Sequence, residues 1–152
     1  MEIGIEVKYR WHDCDVPELG ILASNGKFAG VAYPYLSIDG LAESVRVLAG
    51  FPGSISDVRE IQFGDFGPET AGGCVNLSFF CKDSAGHAVV EVRMESKDEG
   101  SVETPWDRDP QSAHFFGEIE AGAVDEFVNE LRAIDQTKGA TQVSASFICD
   151  SP

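Results

Sequence analysis

Alternating apolar and polar residues in the middle of the chain place the strongest constraint on its fold. From residue 74 to 82, and again from 87 to 94, every second residue is apolar. A period of two is typical of half-buried β-strands, and the Asp83-Ser84-Ala85-Gly86 segment between them has the composition of a tight turn. We therefore predict an antiparallel hairpin with an apolar face that other parts of the chain must cover.

The rest of the chain adds further strands but only two helices. Alternation predicts strands near 2–11, 19–23, 27–35, 59–66, 112–119 and 143–147. Asn25-Gly26 predicts a hairpin with a type I′ turn, which requires positive φ at both residues. A first helix is expected at 38–49, with Ser37 as N-cap and Gly50 at the C′ position, and a second at 123–135.

Both predicted helices carry an apolar stripe. In the second helix the stripe comprises Val124, Phe127, Val128, Leu131 and Ile134. Because the strands come in runs and do not alternate with helices, a parallel doubly wound sheet is not expected. We predict an α+β fold: a mainly antiparallel sheet of six to seven strands with two helices packed on one face. The 152 residues fit a single domain, 1–152.

The charge of the chain narrows the classes of partner. There are 26 acidic and 11 basic residues, giving a net charge of −15. This charge repels phosphates and anionic lipids, so we expect no nucleic-acid or membrane partner, whereas a basic protein is attracted. Solubility alone is the alternative explanation. No apolar run reaches the length of a membrane span, and no export signal is recognised, so we expect a cytoplasmic protein with reduced cysteines.

Much of the acidic excess lies between Glu95 and Glu130, where there are eleven acidic residues and two basic ones. This segment contains a predicted loop, 96–110, and the start of the second helix. Tryptophan and arginine are enriched in binding hot spots, although a loop tryptophan can also pack onto the core. The candidate binding residues for a basic partner are Trp106, Asp107, Arg108, Asp109, Asp125 and Glu126.

One short segment has the residue types of a metal site. His12, Asp13 and Cys14, followed by Asp15, are all chemically suited to bind a transition metal. Consecutive residues at a strand end point in different directions, so at most two of them could reach one ion. The alternative interpretation is a polar turn after the first strand.

Other combinations give weaker indications of catalysis. Asp83, Ser84 and His87 are the residue types of a hydrolase triad, but a four-residue turn is expected to scatter them, and we interpret Asp83 and Ser84 as turn formers. Cys74 and Cys81 are expected on opposite faces of one strand, so they cannot bond each other, and we interpret them as small buried thiols. The glycine-rich segment 64–73 lacks the Gly-Lys-Ser/Thr ending of a phosphate-binding loop. We predict no catalytic residue and no cofactor.

Three short segments carry a resemblance. Gly50-Phe51-Pro52, Ala71-Gly72-Gly73 and Asp83–Arg93, together with the order of strands and helices, resemble small bacterial proteins of uncharacterised function. The layout is also similar to that of acidic α+β immunity proteins of polymorphic toxin systems. This resemblance implies inhibition of a basic toxin and supplies no catalytic residues.

Two alternatives to a binding protein remain open. The first is a small enzyme or metal-binding protein that uses the His12–Asp15 region. The second is a self-associating domain, because a well-formed strand at a sheet edge can pair with a second copy of the chain to give a homodimer.

Overall fold

The computed structural model describes residues 3–13, 16–67, 72–96, 111–137 and 142–148. These residues form eight strands and two helices. In chain order they are β1 (Gly4–Asp13), β2 (Val16–Ser24), β3 (Ala29–Ala32), α1 (Gly40–Leu48), β4 (Val58–Gly64), β5 (Cys74–Cys81), β6 (His87–Ser96), β7 (Gln111–Glu120), α2 (Ala121–Thr137) and β8 (Gln142–Ser146).

The strands form two antiparallel sheets of four, in the orders β3-β2-β1-β8 and β4-β5-β6-β7. The predicted α+β class with mainly antiparallel pairing is confirmed. The described strands number eight and are divided between two sheets, whereas we predicted one sheet of six to seven. The division arises because β1, β2, β3 and β8 pair only with one another among the described strands; β8 returns to β1, pairing Ser146 with Gly4 and Gln142 with Lys8. Alternation indicates which face of a strand is buried, but it does not identify the strand's neighbours.

The central hairpin forms as predicted. Its apolar residues pair across β5 and β6, as in Leu77 with Val92 and Phe79 with Val90, and all four are buried. Asp83 acts as a turn former, because its Oδ1 accepts the backbone N–H of Ala85 at 2.8 Å. The hairpin therefore follows from local sequence alone.

The first helix begins later than predicted. It starts at Gly40, with Asp39 at the N-cap position and no side-chain cap hydrogen bond. Ser37, the predicted N-cap, instead accepts the Gly40 N–H at its backbone carbonyl, at 3.0 Å. The C-terminal end is as predicted, because Gly50 has a φ of +80°, which suits a glycine at C′.

The second helix is longer than predicted but buries the predicted stripe. All five of its apolar residues are buried: Val124, Phe127, Val128, Leu131 and Ile134. The helices pack against each other, α1 also contacts β4, and α2 contacts β7 and β8. Neither described helix is long and apolar enough to cross a membrane.

The hydrophobic core joins both sheets and both helices. Their inward side chains form one buried cluster, in which Phe63, Phe79 and Phe127 are among the largest fully buried residues. The short β3 strand packs directly on β6, and a Cβ atom at Gly30 would lie 2.9 Å from the sulfur of Met94. The inner faces of the two sheets are therefore covered, which leaves their outer faces as candidate surfaces.

The connection from β2 to β3 differs from the predicted two-residue turn. Ser24 pairs with Ala29, so four residues, 25–28, form the loop. Asn25 organises it, because Asn25 Oδ1 accepts the N–H groups of Lys27 and Phe28 at 3.0 and 2.9 Å. This side-chain hydrogen bonding replaces the type I′ geometry.

Two other parts of the chain, this loop and the segment after β8, reach the outer edge of β7. The Asn25 side-chain amide donates to the Phe116 carbonyl at 2.9 Å, and the Ile148 N–H donates to the Glu118 carbonyl at 2.7 Å. Two carbonyls on the β7 edge are thus occupied by other parts of the chain, which makes this edge less available for pairing with another strand.

Candidate functional site

The structure describes two of the six predicted binding residues. Asp125 and Glu126 are exposed on α2 and lie in its second turn, because the helix begins at Ala121. The four loop residues lie outside the described part of the chain: Trp106, Asp107, Arg108 and Asp109. Whether the loop and the helix form one acidic patch therefore stays a prediction.

The metal hypothesis falls largely on residues that the structure does not describe. The backbones of His12 and Asp13 end β1, opposite Pro17 and Val16. Their side chains, and Cys14 as a whole, are outside the description. Among the described residues, no group of three His, Cys, Asp or Glu side chains is arranged to hold a metal ion.

A second candidate surface, which the sequence interpretation did not identify, is formed by a central group of the outward side chains of β4–β7. We call it the outer sheet face. These side chains alternate with the core residues of the same strands, and the register aligns them in rows across the sheet. The outer sheet face comprises Val58, Glu60, Gln62, Asn76, Ser78, Phe80, Val89, Glu91, Arg93, His114, Phe116 and Glu118.

Three apolar residues form one row of this face, which we call the apolar row. Val58 pairs with Phe80, and Phe80 pairs with Val89. Val58 is 65% exposed, while Phe80 and Val89 are half-buried. Adjacent apolar side chains open to solvent are a feature of interaction surfaces.

The neighbouring row brings two carboxylates beside the apolar row. Glu60 pairs with Ser78, and Ser78 pairs with Glu91. Asn76 holds the first carboxylate, donating from Nδ2 to Glu60 Oε1 at 2.7 Å and to Gln62 Oε1 at 3.0 Å. Because Asn76 is only 8% exposed, its amide is fixed beneath the carboxylate.

The second carboxylate is held from β7. The Glu91 Oε2 atom lies 3.0 Å from His114 Nε2 and 3.7 Å from a guanidinium nitrogen of Arg93. The His114 ring is 5.4 Å from that of Phe116, which is 50% exposed. The row of Glu60, Ser78 and Glu91 therefore ends in an exposed aromatic side chain, that of Phe116.

The hairpin end of the sheet carries a histidine between two carboxylates. His87 Nδ1 lies 2.8 Å from Asp83 Oδ2, and its Nε2 lies 3.6 Å from Glu120 Oε1. The hydrogen bond and charge of Asp83, followed by the charge of Glu120, raise the pKa of His87. The hydrogen bonds from His87 and from the Ala85 N–H lower the pKa of Asp83.

This geometry corrects part of the triad argument. The turn does not scatter Asp83 and His87 but brings them into contact, while Cys81 and Ser84 line the same cavity of about 220 Å³. Both ring nitrogens of His87, however, face carboxylates, and the Cys81 thiol donates to the Ser54 carbonyl at 3.6 Å. The described contacts therefore do not form a nucleophile and base pair.

Cys74 behaves as the predicted buried thiol. It is fully buried, and both described cysteines are free. Burial, with smaller effects from Asp65 and Glu95, raises the pKa of Cys74 to about 12. The thiol is therefore protonated at neutral pH and is a poor nucleophile or metal ligand.

The outward face of the first sheet has a balanced charge. Lys8 lies 3.6 Å from Glu6, and Arg10 lies 3.6 Å from the buried Glu18. The Arg10 guanidinium also stacks 4.4 Å from the centre of the Tyr33 ring, beside a cavity of about 370 Å³. The outer sheet face has three glutamates and one arginine, and one of the glutamates, Glu118, is paired with Lys82 at 2.6 Å.

Comparison of the chain with models of protein families, with curated proteins and with solved structures gave no match.

Proposed function

We propose that this chain is a non-catalytic binding domain whose partner is a basic protein. The observation that carries the proposal is the outer sheet face, where an apolar row open to solvent lies beside glutamates held by Asn76 and His114. An apolar centre with charged surroundings is the general anatomy of a protein interface.

The apolar row supplies a reason for a partner to bind. Val58 leaves most of its side chain in water, and Phe116, at the end of the next row, is half exposed. Removing such side chains from water contributes about 25 cal/mol for each Å² of apolar surface. A partner that covers this face would gain that contribution without any rearrangement of the sheet.

Charge supports a basic partner over a second copy of the chain. Each copy carries a net charge of −15, so two copies of the chain would repel each other at long range. A basic surface would be steered toward the face, and its association would be faster at low salt. The occupied carbonyls of Phe116 and Glu118 also make dimerisation through the β7 edge less favourable.

An immunity-type inhibitor is the specific form of this proposal. A toxin nuclease needs a basic groove to bind nucleic acid, and an acidic domain that occupies the groove would block it. We place such a pair in the cytoplasm, where the free thiols Cys74 and Cys81 would stay reduced.

Affinity capture followed by calorimetry tests the proposed function. The immobilised chain is exposed to lysate of its source cell at low and high salt, and retained proteins are identified by mass spectrometry. The main retained protein is then purified and titrated against the chain. We expect a basic protein whose affinity falls as salt rises. Retention of no basic protein under either condition would contradict the proposal.

A further inference from the structure

We propose that the outer sheet face binds a basic segment that places an apolar side chain on the apolar row and cationic side chains on Glu60 and Glu91. This inference rests on the proposed function and specifies the surface and the chemistry of the partner. The segment belongs to another protein, because a second copy of this acidic chain would bring like charges together.

The spacing of the face defines what the segment must present. Glu60 follows Val58 by one outward position on β4, and Glu91 follows Val89 by one outward position on β6. Outward positions on one strand are roughly 7 Å apart, and β4 and β6 are separated by about 10 Å because β5 lies between them. The segment therefore needs two cations about 10 Å apart and an apolar group beside the line that joins them.

Both carboxylates are positioned before any partner arrives. Glu60 is held by the buried amide of Asn76 at 2.7 Å, and Glu91 is held by His114 at 3.0 Å. A side chain that is already ordered loses less conformational entropy when it binds. This ordering distinguishes the pair from acidic residues that are exposed without a described hydrogen-bonding partner, such as Asp125 and Glu126.

The apolar row makes the face more than an acidic cluster. A purely cationic segment would satisfy the glutamates but would leave Val58, Phe80 and Val89 in contact with water. A segment with an aliphatic or aromatic side chain would cover them and would also exclude water from the neighbouring ion pairs, which strengthens those pairs. The face should therefore discriminate between basic segments of equal charge.

Two synthetic peptides of equal length and charge test this inference. One contains lysine and leucine, and the other contains lysine and serine. Both carry a fluorescent label, and binding to the chain is measured by anisotropy at low ionic strength. We expect the lysine–leucine peptide to bind about tenfold more tightly, which is the effect of one good apolar contact.

Variants of the chain locate the binding surface. Val58→Ser should abolish most of the difference between the peptides, and Glu60→Gln with Glu91→Gln should weaken both about tenfold or more. Glutamine keeps an oxygen that can accept from Asn76, so the local structure is preserved. Asp39→Asn at the N-cap position of α1, together with Glu43→Gln in its first turn, is the matched control, because it removes two exposed charges away from the face. Circular dichroism of each variant checks that it is folded.

The outcomes separate the inference from the proposed function. If the Glu60→Gln with Glu91→Gln variant and the α1 control weakened peptide binding equally, binding would follow net charge. This result would overturn the inference but would still be consistent with the proposal of a basic partner. Loss of binding only with Asp125→Asn and Glu126→Gln would also overturn it in favour of α2. If neither peptide bound the unaltered chain, the inference would be overturned, and the affinity capture would still decide the proposed function. Light scattering that detected self-association abolished by Val58→Ser would favour a second copy and would overturn the inference.

Discussion

The ring of Phe147 lies so close to the backbone of Gly117 that a Cβ atom on residue 117 would come within 2.4 Å of it. Gly117 is in β7 and Phe147 follows β8, which belongs to the other sheet, so this contact joins the two sheets. Both residues are buried. A glycine is required here by the approach of another side chain and not by a turn.

We expect Gly117→Ala to lower the free energy of unfolding by about 1–3 kcal/mol, because the Phe147 ring must move to accommodate the methyl group. Urea denaturation measures the change. Gly122→Ala is the control, since a Cβ atom there meets nothing within 4 Å, and in a helix alanine should stabilise by about 0.5–1 kcal/mol. If the Gly117 variant were as stable as the unaltered chain, the packing of Phe147 would be wrong.

The second prediction concerns Arg59, which links the C-terminal end of α1 to β4. Its Nη1 donates to the carbonyls of Ala49 and Val47, and its Nη2 lies 2.9 Å from Asp57 Oδ2. Arg59→Met leaves helix carbonyls and a carboxylate without this donor, so we expect a loss of about 1–3 kcal/mol in unfolding free energy.

Thermal unfolding of two further variants shows whether geometry or charge is responsible. Arg59→Lys should recover little stability, because an ammonium group cannot reach two carbonyls and a carboxylate with the planar fork of guanidinium. Arg46→Met, which removes the exposed pair with Glu43, should have little effect. Full recovery by lysine would show that only the charge of Arg59 matters.

The third prediction is a pH dependence centred on His87. Because the pKa of His87 is raised in the folded chain, protonated His87 adds to the free energy of unfolding. This contribution is complete below pH 6.5, the ordinary pKa of histidine, and is lost as the pH rises through the folded-state pKa. Asp83 has a lowered pKa, so its contribution is present above 3.8 and is lost as the pH falls through the folded-state value. The pair should therefore stabilise most between pH 3.8 and 6.5.

Nuclear magnetic resonance of the imidazole protons measures this effect directly. We expect His87 to titrate above 6.5, and its midpoint to fall toward 6.5 in Asp83→Asn. Glu120→Gln should lower the midpoint less, because Glu120 acts through charge at 3.6 Å. A midpoint that did not respond to Asp83→Asn would contradict the hydrogen bond between the two side chains.

The fourth prediction concerns thiol reactivity. Alkylation of the native chain with iodoacetamide should modify Cys81 faster than Cys74, because Cys74 is fully buried and its pKa is raised to about 12. Peptide mass spectrometry distinguishes the two sites. In denaturant the two rates should become similar, and rapid alkylation of native Cys74 would show that the site opens readily.

The features that could be predicted from the sequence are those that depend on residues close together along the chain. The β5–β6 hairpin, the buried stripe of α2 and the glycine at position 50 all follow from periodicity or from turn chemistry within a few residues. The start of α1 differs from the prediction, because Ser37 contributes its backbone carbonyl where its hydroxyl was expected to cap the helix.

The candidate surface could not be predicted because it depends on register. Val58, Phe80 and Val89 are separated in sequence, and each alone is an ordinary outward position on a strand. Only the pairing of β4, β5 and β6 makes them neighbours. The same limit applies to the division into two sheets, because alternation does not show which strands pair, and β1 pairs with the distant β8.

The pairing of β1 with β8 has a consequence for synthesis of the protein. A ribosome makes β1 well before its second neighbour, β8, so β1 leaves one edge without a partner until residues 142–146 have emerged. The contact that Ile148 makes with the Glu118 carbonyl must wait equally long, which also leaves the edge of β7 open. The nascent chain therefore has unpaired strand edges that could bind chaperones or aggregate, and it can complete the fold only after residues 142–148 have emerged.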